Sequence, residues 1–491
     1  MGQLRAISLF SNCGAGDLGY RKAGFHFDVM AELDPRRLEV CLANHPGAIG
    51  VPGDLRTTWP KVVKSFQEKA GINSRPTLLC ACPPCKGMSS ARSGRGRHDD
   101  ADAGSRDERN LLVTVIAKVA NRLKPSLIVV ENVPAFLSRR VRHPKDKRPV
   151  SAANYLIASL SKEYVAFPFV ADLCEFGIPQ SRTRAFLTFV RRDLVGLKRL
   201  LRQAHAPYPR PTHAIEGGKK SPISMKDALA GFGLPVLDAL TKEDATFDGY
   251  GGLHSVPVWN ERTYAMVAAI PPGSGGSAWD NEKCPLCGPV PVSSTDACCP
   301  QCGDALLRPI IKAKNGRFRL IRGFASSYRR MHSNRPAATV TTASGHIGSD
   351  YTIHPTQNRL LSTLECALLK TIPRNFSWGD ALKKWGHTNI REMIGEAVPP
   401  AFTKLHGDVL RGILSPKRVC TPIASSDDRC KKAWAKLVDA AKSDGRMNPK
   451  SLVPPEVLAL VPSVAKGVRA GRAVADAHIV MGKARSRQEA L

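Results

Sequence analysis

The run Leu4-Arg-Ala-Ile-Ser-Leu-Phe10, followed directly by Ser11-Asn-Cys-Gly-Ala-Gly-Asp-Leu-Gly19, predicts a buried strand that turns through a glycine-rich loop into a helix. Glycine in such a loop lets the backbone approach a ligand closely, and the start of the helix presents free N–H groups. A single Gly-x-Gly pair is equally compatible with a plain tight turn. The loop is therefore a candidate ligand site that other residues must support.

Short apolar strands and helical stretches alternate through the first 195 residues. The predicted strands are Leu4–Phe10, Phe27–Glu32, Leu78–Ala81, Leu127–Val130 and Ala185–Val190, and the predicted helices are Pro35–Asn44 and Asn110–Leu123. This alternation predicts an α/β fold with a doubly wound, mostly parallel sheet and helices on both faces. Ligands of such sheets bind beyond the carboxyl ends of the strands.

The composition bounds the class of protein. The 491 residues are too many for one core, so two or three domains are expected. The chain has 72 Lys and Arg against 42 Asp and Glu. This positive charge predicts a polyanionic partner, because binding to phosphates releases counterions. A basic surface that is merely solvated is the alternative. No apolar run approaches a membrane span, and 14 cysteines without a secretory signal predict thiol chemistry and metal binding in a reducing compartment. We therefore expect a cytoplasmic protein without a membrane segment.

Two acidic residues support the glycine loop as a ligand site. Glu32 ends the second predicted strand, where its carboxylate could accept from a ribose hydroxyl pair. Asp54 follows another apolar segment and could accept from an adenine amino group. These carboxylates favour a nucleoside-containing cofactor.

Cys85 ends the run Cys80-Ala-Cys-Pro-Pro-Cys85, in which two prolines stiffen the backbone before the thiol. A buried structural cysteine is one alternative. A metal cluster with Cys80 and Cys82 is another. Only a thiolate is nucleophilic, so a catalytic Cys85 needs cationic neighbours, which Arg182 and Arg184 could supply.

Glu131 directly follows the apolar run Ser126-Leu-Ile-Val-Val130, where an unpaired carboxylate is costly unless it is functional. It could donate a proton to a substrate. Gln180, Arg182 and Arg184 alternate, which predicts one face of a strand; a structural row of salt bridges is the alternative.

A second, loop-rich region contains a predicted metal site. Cys284-Pro-Leu-Cys287 and Cys299-Pro-Gln-Cys302 have the spacing of a zinc ribbon with four thiolate ligands, which implies a structural zinc; reduced cysteines without metal are the alternative. Cys298 is a spare thiol. Basic residues that could reach phosphates or guanine edges follow the ribbon: Arg317, Arg319, Arg322, Arg329 and Arg330.

The tail from Ser415 carries 15 Lys and Arg against 7 Asp and Glu. Trp434, Leu437, Val438 and Ala441 form one apolar helical stripe within it, after the candidate caps Ser426 and Asp427. Such a helix could pack on the α/β domain or bind a polyanion non-specifically.

The order and content of these runs resemble the DNA (cytosine-5)-methyltransferase family of bacterial or phage type. The matching segments, in the family's order, are Phe10–Gly19, Glu32, Gly53-Asp54, Pro83-Pro-Cys85, Glu131-Asn-Val133, Gln180–Arg184, Arg335–Thr342 and Gly395–Pro400. The resemblance implies an S-adenosylmethionine site formed by Phe10, Asn12, Cys13, Gly14, Ala15, Gly16, Glu32, Asp54 and Leu112. Asn12 stands where the family usually has glycine, Glu396 replaces an asparagine, and Cys80 and Cys82 replace small residues.

The resemblance also implies the reaction. Cys85 would attack cytosine C6, Glu131 would protonate N3, and Arg184, supported by Arg182, would hold O2 of a base flipped out of duplex DNA. The loop Ala91–Asp107 would close over the base. The expected partners are a specific double-stranded DNA sequence and a cognate restriction endonuclease, with the enzyme a monomer. An RNA methyltransferase of the same lineage and a catalytically silent DNA-binding module are the alternatives.

The expected domains follow from these motifs. A Rossmann-like catalytic domain would span residues 1–195, and a smaller target-recognition domain with the zinc ribbon at 284–302 would span 196–334. Residues 335–414 would complete the catalytic domain, and 415–491 would form a basic helical extension.

Overall fold

The computed structural model describes residues 2–84, 108–144, 149–214, 219–323, 325–415 and 421–443. Cys85, the loop 91–107 and the tail beyond Ser443 lie outside the described residues. No helix in the described ranges is long and apolar enough to cross a bilayer.

The N-terminal region forms one large sheet. The strands of this region, in chain order, are β1 (Leu4–Leu9), β2 (Phe25–Glu32), β3 (Ile49–Pro52), β4 (Leu78–Ala81), β5 (Leu127–Asn132), β6 (Arg140–Arg142), β7 (Pro149–Ser151), β8 (Tyr164–Asp172), β9 (Thr183–Arg191) and β10 (His205–Ala206). Seven of them are hydrogen-bonded in the order β3-β2-β1-β4-β5-β9-β8. The pairings from β3 to β5 are parallel, and β9 runs antiparallel to both β5 and β8. The predicted α/β class with a mostly parallel sheet is confirmed.

Local sequence explains the central elements. The helices of this region are α1 (Ala15–Lys22), α2 (Pro35–Asn44), α3 (Leu55–Ala70), α4 (Val113–Leu123), α5 (Ala152–Leu160) and α6 (Val195–Arg202). The strands β4 and β5 are buried along their whole length, as expected for apolar runs inside a parallel sheet. Asp34 caps α2 by accepting from Arg36 N, and Pro35 occupies its first turn, where no N–H is required.

The chain divides into two compact units. The first unit comprises the described parts of Met1–Asp172, Thr183–Arg210 and Phe402–Leu491, and the second comprises those of Leu173–Arg182 and Pro211–Ala401. The segment from 335 to 401 thus groups with the inserted region, whereas the predicted boundaries placed it with the catalytic domain. The cause is local: Gln180 pairs with Ala337, and Arg182 donates to the Gly395 carbonyl. The functional assignment of the domains stays a prediction.

The second unit is built from short elements and long connections. Its helices are α7 (Met225–Phe232), α8 (Glu261–Ala268), α9 (Thr363–Leu369) and α10 (Ala381–Glu396), and its strands are β11 (Lys283–Cys284), β12 (Gly288–Pro289), β13 (Ile310–Lys312) and β14 (Phe318–Leu320). Val267, Ile270, Ala278, Ile353 and Leu360 form part of one buried cluster. The loop-rich character expected from the sequence is present.

The C-terminal elements are α11 (Pro400–Leu414), β15 (Ile423–Ala424) and α12 (Asp428–Ser443). In α12, the predicted stripe of Trp434, Leu437, Val438 and Ala441 is buried. Asn154 of α5 donates to the Leu437 carbonyl at 3.1 Å. The predicted amphipathic helix is therefore confirmed, and it packs within the first unit.

Candidate active site

The loop between β1 and α1 has an unusual backbone. Asn12 has φ of +49° and Gly14 has φ of +74°. Asparagine adopts this left-handed region more readily than other residues with side chains, so Asn12 replaces the expected glycine at little conformational cost. Phe10, with φ of +59°, begins the same turn.

Glu32 connects this loop to the end of β2. Its carboxylate accepts from Asn12 N at 2.8 Å through one oxygen, and from Leu33 N and Asp34 N at 2.9 and 3.1 Å through the other. Burial raises the pKa of Glu32, and the backbone N–H groups oppose that shift. The sequence prediction that Glu32 lies beside the glycine loop agrees with this geometry.

Gly14 is enclosed by a histidine from the C-terminal end of α2. His45 Nε2 lies 2.9 Å from the Gly14 carbonyl oxygen, and burial lowers the pKa of His45 to about 4. The neutral ring therefore donates to the carbonyl. A Cβ on Gly14 would lie 2.8 Å from Cys41 Sγ and from His45 Cδ2, so the loop has no space for a side chain here.

The neighbouring loop residues are structural in character. Cys13 is fully buried, which raises the pKa of its thiol to about 12, so it packs as a neutral side chain. Ala15 is buried at the start of α1. The Gly16 carbonyl accepts from Thr403 Oγ1 at 2.6 Å, which ties the loop to α11.

The two remaining predicted cofactor residues have other local roles. Asp54 caps α3 by accepting from Arg56 N at 2.8 Å, and the Arg56 guanidinium beside it lowers the pKa of the carboxyl group. Leu112, half-buried, ends a 3₁₀ turn (Glu108–Leu112) immediately before α4.

Glu131 and Arg184 meet at the end of the sheet. The antiparallel register pairs Asn132 of β5 with Ala185 of β9, which places Arg184 beside Glu131. Arg184 Nε lies 3.0 Å from Oε1 of Glu131, a residue that is buried. The expected acid and guanidinium are therefore an ion pair at the carboxyl end of β5.

Cys82 is a partner of Glu131 that the sequence interpretation did not assign. Its thiol donates to Oε2 of Glu131 at 2.6 Å. The Pro83 carbonyl accepts from Asn132 Nδ2 at 2.9 Å, so the proline segment is fixed to the end of β5. The sequence signal that could have identified Cys82 was a cysteine without an assigned role three positions before the candidate nucleophile. Cys85 itself lies outside the described residues.

Arg182 does not share a strand with Arg184, because β9 begins at Thr183. Arg182 is buried and donates to the carbonyls of Gly395 at 2.9 Å and Val340 at 3.4 Å. Gln180 is also buried. The prediction of three side chains on one strand face was therefore wrong, and Arg182 holds together the two late segments of the second unit.

Four cysteines of the second unit converge. The sulfur atoms of Cys284, Cys287, Cys299 and Cys302 all lie within 4.8 Å of one another. Cys284 and Cys299 are buried in a cluster with Val290 and Leu306. These distances and this donor set fit a tetrahedral four-thiolate site.

The five arginines after the ribbon separate into two groups. Arg330 is 0% exposed and donates to the carbonyls of Val267, Ile270 and His354, so the expectation that it could reach nucleic acid was wrong. Arg329 is half-buried and donates to the Gly275 carbonyl. The other three are exposed: Arg317, Arg319 and Arg322.

The mostly parallel sheet, with its glycine loop after β1 and its acid–guanidinium pair at the carboxyl end of β5, defines an α/β methyltransferase fold. The C-5 cytosine-specific DNA methylase family matches residues 4–228 and 307–409, which is more than half of the chain. The chain belongs to this family, and it is a DNA (cytosine-5)-methyltransferase, an enzyme that acts on cytosine in DNA. Residues 229–306, including the four cysteines, lie outside the match.

Similar proteins share most of the chain's length. The type II methyltransferase M1.HgaI of Avibacterium volantium is 25% identical over 408 residues, covering 81% of this chain and 95% of that protein. The DNA (cytosine-5-)-methyltransferase M.ApeKI of Aeropyrum pernix is 25% identical over 492 residues, covering 84% of this chain and 99% of that protein. The structure of the S. pombe Dnmt2 methyltransferase is 13% identical, with a TM-score of 0.45, and covers 85% of this chain and all of that one. At that score the structural likeness adds nothing to the assignment.

Proposed function

We propose that this enzyme transfers a methyl group from S-adenosylmethionine to C5 of cytosine within a specific duplex DNA sequence, through base flipping and a covalent bond between Cys85 and cytosine C6. The observation that carries the proposal is the ion pair of Glu131 and Arg184 at the end of β5. The fixed proline segment that leads to Cys85 begins beside it.

The cofactor would be held by the loop Phe10–Gly16, Glu32, Asp54 and Leu112. The start of α1 presents N–H groups, and the buried carboxylate of Glu32 is suited to a hydroxyl pair. When bound, S-adenosylmethionine supplies an electrophilic methyl group. The protein's part is to orient it, and Asn12 and Gly14 fix the path of the loop that does so.

The catalytic residues would act on the pyrimidine ring. The Cys85 thiolate forms a bond to C6, and C5 becomes nucleophilic as electron density moves through the ring. Glu131 takes up a proton from solvent and donates it in a hydrogen bond to N3, which stabilises the charge that the attack creates. Arg184 holds O2 and keeps Glu131 in place, while Arg182 positions the Gly395 segment. After C5 is methylated, loss of its proton restores the double bond and breaks the Cys85–C6 bond.

The four cysteines would hold a structural zinc ion. A closed site with four thiolates leaves no position for substrate, so its contribution is to stabilise the region between residues 284 and 302. A location in the cytoplasm, a monomeric state and a partner endonuclease remain predictions. The similarity to a protein named as a type II methyltransferase favours a role in DNA modification.

The proposal is tested by expressing the chain in bacteria that lack cytosine methylation and sequencing the genome after bisulfite treatment. We expect one new methylated motif with the native chain and with Cys298→Ser as a thiol control. We expect none with Cys85→Ser and a rate about 10²- to 10⁴-fold lower in vitro with Glu131→Gln. Methylation that persists in Cys85→Ser would contradict the mechanism, and preferential methylation of tRNA over DNA in vitro would contradict the substrate.

A further inference from the structure

A short hairpin follows the cysteine cluster in the second unit. The strands β13 and β14 are antiparallel, with Ile311 opposite Arg319 and Lys312 opposite Phe318. The connection is tight: Gly316, with φ of +80°, donates to the Ala313 carbonyl at 2.9 Å. Such a turn gives the two strands a fixed register.

The hairpin is basic and exposed. Residues 305–325 contain six Lys and Arg and no Asp or Glu. Five of these basic residues are exposed: Lys312, Lys314, Arg317, Arg319 and Arg322. Two large apolar side chains are also exposed, Ile311 at 41% and Phe318 at 37%. A surface that combines unopposed positive charge with apolar side chains fits a nucleic-acid groove.

The sixth basic residue anchors the hairpin. Arg308 is buried and donates to the carbonyls of Asn281 at 2.8 Å and Asp296 at 3.0 Å. Asn281 donates in turn to the Leu307 carbonyl at 2.6 Å. Leu306 packs with Cys284 and Cys299, so the base of the hairpin is fixed to the cysteine cluster.

We propose that the hairpin 310–320 enters the major groove of the substrate DNA and contributes to sequence recognition. This inference rests on the proposed function and assigns a recognition element to it. The major groove of B-DNA accepts a two-stranded ribbon, whereas the deep, narrow major groove of duplex RNA does not. The face with Ile311 and Arg319 adjoins Arg322 in one shallow pocket and reads base edges, since arginine pairs with guanine and apolar side chains contact the thymine methyl. Lys314 and Arg317, at the turn, contact phosphates.

The first experiment measures DNA binding without methyl transfer. The double variant Arg317→Ala/Arg319→Ala is compared with Lys242→Ala/Lys383→Ala, which removes the same charge from exposed positions elsewhere in the second unit. Fluorescence anisotropy with a random-sequence duplex of about 30 base pairs is recorded over a range of salt concentrations. We expect affinity about 10-fold weaker for the hairpin variant, a salt slope lower by about 1 for each phosphate that is no longer neutralised, and near-native behaviour for the control.

The second experiment measures sequence readout. Bisulfite sequencing of cells that express Arg319→Ala should show methylation at sites that differ from the native motif at one base pair, because removing an arginine that pairs with guanine relaxes that position. Thermal melting identifies any variant that fails to fold, and Arg317→Ala alone then repeats the binding test.

The outcomes separate the two proposals. If the native chain methylates DNA but both double variants bind alike and Arg319→Ala keeps the native motif, the hairpin inference is wrong and the proposed function stands. If the native chain methylates no DNA, the proposed function fails, and the binding comparison still decides whether the hairpin contacts a duplex. Tighter binding to duplex RNA than to duplex DNA overturns the inference.

Discussion

Single residues in the loop after β1 set the geometry of the candidate cofactor site. Asn12 and Gly14 both adopt left-handed backbone conformations, but for different reasons. Asn12 tolerates the conformation, whereas Gly14 is required by its surroundings, since Cys41 and His45 occupy the space where a Cβ would lie. The sequence shows the glycine but not this enclosure, because His45 is 31 residues away.

The substitution Gly14→Ala tests this enclosure against a matched control, Gly47→Ala. Gly47 also has positive φ (+83°), but no atom lies within 4 Å of its Cβ position. Both variants bear the cost of a left-handed alanine, about 1 kcal/mol, and only Gly14→Ala adds a steric cost of about 1–3 kcal/mol. We expect Gly14→Ala to have the lower free energy of unfolding in urea and at least about 10-fold weaker binding of S-adenosylmethionine by calorimetry. Equal effects of the two variants would contradict the role of Cys41 and His45.

At the scale of elements, apolar runs predicted the centre of the sheet well and its edge poorly. The strand β4 and the helix α2 have the predicted bounds, because a continuous apolar run and a Pro after a capping Asp are strong local signals. The strand β8 was not predicted, and it contains Pro168. This strand is an edge strand of the sheet, where a residue without an N–H is tolerated. The position of a strand within a sheet cannot be read from the residues of that strand alone.

The helix α12 also shows that local sequence does not determine tertiary position. Its apolar stripe was readable from the spacing of Trp434, Leu437, Val438 and Ala441, but its packing partner was not. The structure supplies the partner in Asn154 of α5, which bonds to the Leu437 carbonyl 283 residues away. Pattern predicts which face of a helix is buried, and only the fold determines what covers it.

The cysteine cluster yields a prediction for the metal. Purified under reducing conditions, the native chain should contain about one zinc ion per molecule by elemental analysis, and Cys284→Ser should contain close to none. Because metal binding contributes to folding, this variant should also unfold at a lower temperature. Cys298→Ser is the matched control, since this adjacent thiol is not part of the four-sulfur group. Native protein without zinc, or zinc retained by Cys284→Ser, would contradict the assignment.

At the scale of the whole molecule, the sequence predicted two regions but not their boundary. Changes in composition placed the return to the catalytic domain at Arg335, whereas the second unit extends to Ala401. The hydrogen bond that joins its segments, from Arg182 to the Gly395 carbonyl, spans 213 residues. The candidate catalytic pair was predictable because Glu131 directly follows one predicted apolar strand and Arg184 directly precedes another. The alternating Gln180-Ser-Arg182 segment misled, since alternation does not by itself make a strand.

Buried titratable groups in both units determine how stability depends on pH. Burial lowers the pKa of His45 to about 4 and of His354 and His406 to about 3. Below about pH 6.5 these three histidines bind protons in the unfolded chain, whereas in the folded enzyme they remain neutral. Each therefore lowers the free energy of unfolding as the pH falls from about 6.5 towards 4. Burial raises the pKa of Asp17 to about 7, although Ser8 Oγ donates to it at 2.8 Å. Asp17 therefore has the opposite sign: its contribution is lost as the pH rises from about 4 through 7.

For these four groups, three histidines against one aspartate predict that the free energy of unfolding rises between about pH 4.5 and 6. Burial also lowers the pKa of His254, which acts in the same direction, and raises the pKa of Glu32, which acts against it. Among these four groups, the net difference of about two protons corresponds to about 2.7 kcal/mol per pH unit. In urea titrations, His406→Gln should reduce this slope by about 1.4 kcal/mol per pH unit, and Asp17→Asn should increase it by a similar amount because it removes the opposing group. His346→Gln, at an exposed position, is the control and should leave the slope unchanged. A slope in His406→Gln equal to that of the native chain would show that this histidine is protonated in the folded enzyme, contrary to its burial between Tyr20 and Tyr208.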